Sequence, residues 1–209
     1  DSALPRQQTL RATLDWSFAL LTGCEQIGLR RLAVFRGGFS LASAAAVIAG
    51  EQVAPVEVLG SITQLVAKSL LNVEAGDDEV VYRLHDITRT YALEKLSSAG
   101  ELDVTRARHA ECCLSLMNQA QDDWELTATQ PWIGRYAPLR EDIRAALDWG
   151  LGDYGVHLLG IRLTVSAMPL WQELSLLREH GVYVGKALER LARSAAPSRW
   201  DCTSRRSAP

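Results

Sequence analysis

Residues 69–96 read SLLNVEAGDDEVVYRLHDITRTYALEKL, and the spacing of apolar residues changes within this stretch. The short runs SLLNV and VVYRL are rich in aliphatic, β-branched and aromatic residues and flank the acidic segment EAGDDE. This pattern predicts a β-hairpin with an acidic tip. From Ile87 onward, the apolar residues Ile87, Tyr91 and Leu96 follow a helical spacing. The stretch therefore predicts a hairpin followed directly by a helix.

Four helical patterns precede this hairpin. Apolar stripes cover residues 10–21 and 25–35, Ser40 is placed to cap a third helix, and Pro55 fits the first turn of a fourth. Several helices followed by a two-stranded hairpin are typical of a winged-helix domain, in which the hairpin is the wing. We expect this domain to span residues 1–100.

The patterns after Glu101 are all helical. They cover approximately residues 101–121, 139–151, 154–168 and 171–193. Antiparallel helix pairs packed in series would use such segments, which predicts a tetratricopeptide-like array over 101–193, although no consensus repeat of about 34 residues runs through it. The tail, residues 194–209, is rich in Ser, Arg and Pro without periodicity, and we expect it to be disordered. The predicted fold is mainly α.

Composition narrows the functional class. The 209 residues are 47% hydrophobic and 22% charged, as in ordinary globular proteins. No run approaches the roughly 18–20 apolar residues of a membrane helix, and the four cysteines show no CxxC pair. We therefore expect a cytoplasmic protein with reduced thiols and no membrane partner. The N-terminus lacks an initiator Met and a signal peptide, so the chain looks like an internal cut through a longer polypeptide.

Motifs for catalysis and metal binding are absent from the sequence. It contains no phosphate-binding loop (GxxxxGKS or GxxxxGKT), no GxGxxG and no GxSxG. His109, Cys112 and Cys113 fall within one helical turn, but a zinc site needs four convergent ligands and no second cluster completes it. We therefore expect no enzymatic activity, no metal and no cofactor in this chain.

The charge pattern argues against direct DNA binding. A DNA-reading winged helix presents Arg and Lys to the phosphates, yet the helix before the hairpin carries one Glu and one Lys. Residues 1–100 contain nine Lys and Arg against eleven Asp and Glu, a net charge of −2. The hairpin tip adds repulsion through its acidic residues Glu74, Asp77, Asp78 and Glu79. The winged helix is therefore expected to contact protein, either within the same polypeptide or in a partner.

His85 and Asp86 stand where the predicted strand meets the predicted helix. Asp86 fits a helix N-cap, because its carboxylate can accept hydrogen bonds from the amides of Thr88 or Arg89 and complements the helix dipole. His85 has two interpretations. It is either a hydrogen-bonded structural histidine or a contact for an anion such as a phosphate oxygen.

Six segments, taken in their order along the chain, are informative together. The first five are LPRQQTLRATLDWSFALL, LRRLAVFRGGFSLASA, LVAKSLLNVE, YRLHDITRTYALEKL and REDIRAALDWGL. Together with AMPLWQELSLLREHGVYVGKALERL they resemble the nucleotide-binding signalling ATPases of the STAND (NB-ARC) group, over about residues 3–193. The bacterial predicted-ATPase transcriptional regulators are the most similar members. The resemblance implies a winged helix followed by a helical sensor.

Within that resemblance, LHD at 84–86 is similar to the methionine-histidine-aspartate motif, with Leu84 in the methionine position. The resemblance implies that His85 contacts the β-phosphate of ADP on a neighbouring ATPase core, and that Asp86 supports the local geometry. The Walker A and Walker B segments that bind ADP or ATP with Mg²⁺ are absent and are expected N-terminal to Asp1. This chain alone should then not hydrolyse ATP.

Three hypotheses follow. The leading one is a regulatory segment that couples the nucleotide state of an NTPase core to a helical sensor, with an inducer or protein partner on the helical region. The first alternative is an autonomous winged-helix DNA-binding regulator. The second is a stand-alone helical scaffold for protein interactions.

Overall fold

The computed structural model describes residues 3–75 and 80–195, and the side chains of residues 9–74 and 80–194. The elements are α1 (Ala3–Ala19), α2 (Gly23–Leu32), α3 (Leu41–Ile48), α4 (Pro55–Ala67), β1 (Asn72–Ala75), β2 (Val80–Arg83), α5 (Asp86–Ser98), α6 (Leu102–Trp124), α7 (Thr129–Tyr136), α8 (Arg140–Gly150), α9 (His157–Ser166), α10 (Met168–Glu173) and α11 (Leu177–Ala195). A short 3₁₀ turn, Ala137–Leu139, joins α7 to α8. The predicted class, a mainly α fold with a winged helix followed by further helices, is confirmed.

The wing contains β1 and β2, which pair antiparallel from Asn72 opposite Arg83 to Ala75 opposite Val80. Phe39 extends this sheet, since its N–H donates to the Tyr82 carbonyl over 2.9 Å and its carbonyl accepts from the Tyr82 N–H over 2.8 Å. The segment between α2 and α3 thus pairs with the other edge of β2. The predicted hairpin is confirmed, whereas the acidic tip, residues 76–79, lies outside the described residues.

The first hydrophobic core is enclosed by α2, α3, α4, α5 and the wing. Its largest fully buried side chains are Leu29, Leu32, Ile48, Ile62, Leu65 and Leu96. Local sequence signals start its helices: the Ser40 hydroxyl accepts from the Ser43 N–H, as predicted, and Pro55 opens α4. Thr22 and Glu25 add a reciprocal capping box at α2, which was not predicted.

The second hydrophobic core lies among α6 to α11. Trp132 and Trp171 are its largest fully buried side chains, and the Trp132 indole N–H donates to the Ala120 carbonyl over 2.8 Å. Two glycines allow α8 and α9 to approach closely, because a Cβ on Gly150 would lie 2.9 Å from the Cα of Gly160. The tryptophans therefore act as packing anchors, as their helical spacing predicts.

The helical region differs from its sequence pattern in two places. Helix α7 was not predicted, and the single helix expected over 171–193 is broken between α10 and α11. At the break Ser175 adopts a φ of +57°, and the Leu176 N–H donates back to the Trp171 carbonyl over 2.8 Å. The helix thus ends in a left-handed residue, a position that glycine usually occupies. Because serine stands there instead, the sequence did not predict the break. Of the tail predicted to be disordered, residues 194 and 195 belong to the end of α11, and residues 196–209 lie outside the described residues.

Candidate functional site

The strand–helix junction places His85 one residue before α5. His85 is extended, with φ −63° and ψ 145°, and its carbonyl accepts from the Arg89 N–H over 2.8 Å, which closes the first helical turn. His85 therefore occupies the N-cap position, and the assignment of that position to Asp86 was wrong by one residue. Asp86 is the first helical residue, where its negative charge still complements the helix dipole.

The His85 side chain is exposed and makes no hydrogen bond or ion pair with any described residue. The backbone around it is anchored, because the flanking Leu84 and Thr88 side chains are buried. An exposed imidazole on a fixed backbone beside a helix N-terminus is suited to donating a hydrogen bond to an anion from outside the chain. The alternative interpretation, a structural histidine hydrogen-bonded within the fold, is not supported, because the His85 imidazole has no partner among the described residues.

Helix α4 occupies the position of the DNA-reading helix in a winged helix–turn–helix. Its inner face is buried through Val58, Ile62 and Leu65. Its outer face is largely apolar, with Val56 85% exposed and Leu59 55% exposed. This face offers no side-chain cation to a phosphate.

The charged residues around α4 are already engaged. The Glu57 carboxylate accepts from the Ala54 N–H over 2.8 Å and caps the helix. The Lys68 ammonium lies 2.6 Å from the buried Glu25 carboxylate. Lys68 is therefore held against the protein.

In the described part of the wing, the cation is also close to a carboxylate. Arg83 of β2 lies 3.5 Å from the Glu74 carboxylate of β1, and both side chains are about half exposed. Val73 and Val80 are the other exposed large side chains of the strands. The wing strands therefore add no free cation to the outer surface of α4.

A buried polar junction joins the winged helix to the helical region. Asp142 of α8 accepts from the backbone N–H groups of Arg36 over 2.7 Å and Gly37 over 3.1 Å. Its carboxylate also lies 3.0 Å from Nε2 of His109 on α6. Asp142 is 3% exposed and His109 is 2% exposed. Phe35 covers the pair, because its ring meets the His109 imidazole edge-on at 5.1 Å between centroids.

A second carboxylate ties the start of α6 to α2. Glu101 lies 2.5 Å from Nη2 of Arg30 and 2.9 Å from Nε of Arg31. Arg31 is buried and also donates to the Ile48 carbonyl over 2.6 Å and to the Gln52 side chain over 2.7 Å. Burial opposes the charge on Glu101, but the two arginines outweigh it and lower the pKa of the Glu101 carboxyl.

The cysteines beside His109 are unsuited to metal binding or nucleophilic chemistry. Cys113 Sγ lies 3.7 Å from His109 Nε2, but burial and the nearby Asp142 raise the pKa of the Cys113 thiol. Burial also raises the pKa of the Cys112 thiol, although a contact with Ser43 partly offsets it. Within residues 3–75 and 80–195, no group of three His, Cys, Asp or Glu side chains is arranged to hold a metal ion. None of the helices there combines the length and apolar character needed to cross a membrane.

Sequence reasoning missed Asp142 and Glu101. A signal for Asp142 was present, since it lies four residues before the buried Ala146 on the inner face of an amphipathic helix. An acidic residue on an apolar helix face indicates a buried partner. The identity of that partner was hidden, because Arg36 lies 106 residues away along the chain.

Comparison with known proteins defines the class. Residues 28–97 match the family model of the winged helix-turn-helix domain, which agrees with the fold from α2 to α5. The chain contains a winged helix-turn-helix domain.

Similar proteins occur in two species of Mycobacterium. A protein of Mycobacterium tuberculosis named "Putative HTH-type transcriptional regulator" is 41% identical over 191 residues, which are 90% of this chain and 21% of the relative. A protein of Mycobacterium bovis with the same description matches to the same extent. An "Uncharacterized protein" of Mycobacterium tuberculosis is 47% identical over 109 residues, or 52% of this chain and 28% of the relative. The chain thus spans about a fifth of the length of the regulators it matches, and no solved structure matches it significantly.

Proposed function

We propose that this chain is a non-catalytic regulatory segment of a larger transcriptional regulator, in which the winged helix contacts protein instead of DNA. The observation that carries the proposal is the outer face of α4, where Val56 and Leu59 are exposed and the neighbouring Lys68 is paired with Glu25. A DNA-reading helix derives most of its affinity from cations that neutralise phosphates. A face of this composition is better suited to a protein surface.

A more specific proposal is that the chain couples the nucleotide state of an ATPase core to a helical sensor. By resemblance to the STAND ATPases, the winged helix (1–100) would transmit the ADP or ATP state of an NTPase core outside this chain to the helical array (101–193). The exposed, unpaired His85 supports this role, because it is free to contact a phosphate of ADP carried by the neighbouring core. ADP would favour the closed arrangement through contacts made only there, and an inducer on the helical array, with ATP exchange, would favour the open one.

The test of coupling uses the longer regulator that contains this segment. Changing His85→Ala should speed ADP release and raise transcriptional output without inducer. His85→Gln should retain ADP better than His85→Ala does, because the glutamine side-chain amide can still donate a hydrogen bond. The variant Glu111→Gln, on an exposed position of α6, serves as the control and should leave both readouts unchanged. Unchanged ADP release and basal output in His85→Ala would refute the coupling role.

A second candidate function, direct DNA binding by the winged helix, is favoured by the match of residues 28–97 to the winged helix-turn-helix family. Fluorescence anisotropy of the purified chain with labelled duplex DNA at low salt separates the candidates. We expect no salt-dependent binding. Binding that weakens with salt, and that is lost when Thr63→Glu and Gln64→Glu place acidic groups on the exposed face of α4, would establish the DNA-binding function instead.

A further inference from the structure

A cleft of about 570 Å³ lies between the winged helix and the helical region. One wall comes from the segment that follows α2 and from α5. The other wall comes from the first turns of α6, from α8 and from the turn after α8. Its size is within the range of small-molecule sites, about 300–1,000 Å³. His85 is not among its lining residues.

Three arginines line this cleft: Arg36, Arg89 and Arg106. Arg89 and Arg106 are half-buried, and none of the three guanidinium groups forms an ion pair or a hydrogen bond with a described residue. Arg36 and Arg89 belong to the winged-helix wall, whereas Arg106 belongs to α6 on the opposite wall. The cleft therefore holds unpaired positive charge from both sides.

The acidic residues of the cleft do not cancel this charge. Asp148 is 3.3 Å from the ammonium of Lys186, and Asp153 is 2.8 Å from the guanidinium of Arg190. Asp103 is exposed and is the remaining carboxylate of the lining. Three free guanidinium groups thus face one free carboxylate, which leaves the cleft positive.

We propose that this cleft binds a small phosphate-bearing ligand that bridges the winged helix and the helical region. Guanidinium groups bind phosphate oxygens through paired, charge-assisted hydrogen bonds, and several of them complement a dianionic phosphate better than a single carboxylate. The side chains of Leu93 and Trp149 provide apolar surface for the rest of the ligand. The proposal is independent of nucleotide coupling, because it uses none of the residues assigned to that role.

Binding across the cleft has a physical consequence. A ligand held by Arg89 on one wall and Arg106 on the other favours the arrangement in which the walls are close together. Because it binds the folded chain and not the unfolded one, it also raises the unfolding temperature. The cleft would thus be a regulatory site, at which a ligand controls how closely the winged helix and the helical region approach each other.

The test titrates the full chain with inorganic pyrophosphate and inorganic phosphate at low salt, by calorimetry and thermal unfolding. We expect saturable binding and a higher unfolding temperature. Arg89→Gln and Arg106→Gln should each weaken the affinity by about ten- to a hundredfold, as expected for the loss of a hydrogen bond to a charged group. Arg178→Gln, at an exposed position of α11 away from the cleft, is the matched control and should bind like the unmodified chain.

The remaining outcomes overturn the proposal. These are no binding of either probe, equal weakening in Arg178→Gln, or equal affinity for succinate, which would mark a carboxylate site. Tighter binding of pyrophosphate than of phosphate would indicate a phosphoester with more than one phosphate, whereas equal binding would indicate a single phosphate group. Because neither the Arg89 nor the Arg106 guanidinium is bonded to a described residue, circular dichroism should show both variants folded.

Discussion

Removing the Asp142 carboxylate tests the buried polar junction directly. Asp142→Ala takes away one acceptor from three donors: the backbone N–H groups of Arg36 and Gly37, and the imidazole of His109. All of these groups lie where the two parts of the chain meet. The variant therefore measures what the junction contributes to the stability of the whole chain.

The magnitude follows from burial. Each buried donor left without a partner costs about 1–3 kcal/mol, so the three donors together would cost about 3–9 kcal/mol without relief. Asp142 and His109 are nearly inaccessible, so solvent screening gives little relief. Since water can enter the space left by the carboxylate and satisfy part of the loss, we expect Asp142→Ala to lower the free energy of unfolding by about 3–5 kcal/mol.

The isosteric variant refines the test. In Asp142→Asn, the remaining carbonyl oxygen can still accept from Arg36 and His109, but the new NH₂ group faces the Gly37 N–H, which is also a donor. One mismatched contact predicts a smaller loss, about 1–3 kcal/mol. The exposed Asp122 of α6 provides a control, and Asp122→Ala should stay within about 0.5 kcal/mol of the unmodified chain.

The assay is urea unfolding of the full chain, followed by circular dichroism and tryptophan fluorescence. The expected order of destabilisation is Asp142→Ala, then Asp142→Asn, then Asp122→Ala. A loss below about 1 kcal/mol in Asp142→Ala would refute the reasoning, because a buried acceptor of three hydrogen bonds cannot be removed at that cost. Equal losses in the alanine and asparagine variants would show that the mismatch at Gly37 is as costly as full removal.

Three further predictions use the same unfolding assay. Glu101→Gln should cost about 1–3 kcal/mol near pH 7. Because the folded pKa of Glu101 is lowered from 4.5, the contribution of its charge is full above pH 4.5 and is lost as the pH falls through the lowered value. The stabilities of the two proteins should therefore converge below that value. Gly150→Ala should destabilise by at least about 2 kcal/mol, because the new methyl group meets the backbone of Gly160, whereas Gly134→Ala, with open space around it, should be neutral or stabilise by up to about 1 kcal/mol. Ser40→Ala should cost about 1 kcal/mol through loss of the α3 cap, and unchanged stability would contradict that role.

Local chemistry explains why the winged helix could be predicted from the sequence. Ser40, Pro55 and Gly100 each act on the backbone next to them: a hydroxyl that caps α3, a ring that preorganises the start of α4, and a left-handed residue with φ +70° that ends α5. The change from strand to helical spacing at Ile87 likewise located the end of the hairpin and the start of α5 from adjacent residues alone. Such signals need no knowledge of distant residues.

The parts that could not be predicted depend on distant contacts. The sequence does not reveal that Asp142 meets Arg36 or that Glu101 meets Arg30 and Arg31, because pairing over such separations is decided by the packing of whole helices. The arginine-lined cleft was missed for the same reason. The break at Ser175 is local, but it uses a residue that rarely adopts positive φ.

The way in which the two cores are joined bears on the proposed switching. Each core is separately enclosed, and α6 extends from one to the other: Leu102 packs against the first core, whereas Met117 is fully buried in the second. Both polar ties involve this part of the chain, since Glu101 immediately precedes α6 and His109 lies two turns along it. Moving the start of α6 away from α2 would therefore disrupt both ties together.

This arrangement favours two discrete states over gradual opening. A carboxylate that accepts several hydrogen bonds is satisfied either by its full set of protein donors or by water, and intermediate displacements leave buried groups without partners. Opening would expose Asp142 and Glu101 to water while each hydrophobic core stays enclosed. The arginine-lined cleft lies across the same boundary, with Arg36 on one wall and Arg106 on the other. An anion bound there would stabilise the closed state by its difference in affinity for the two states, which is the requirement for a regulatory ligand.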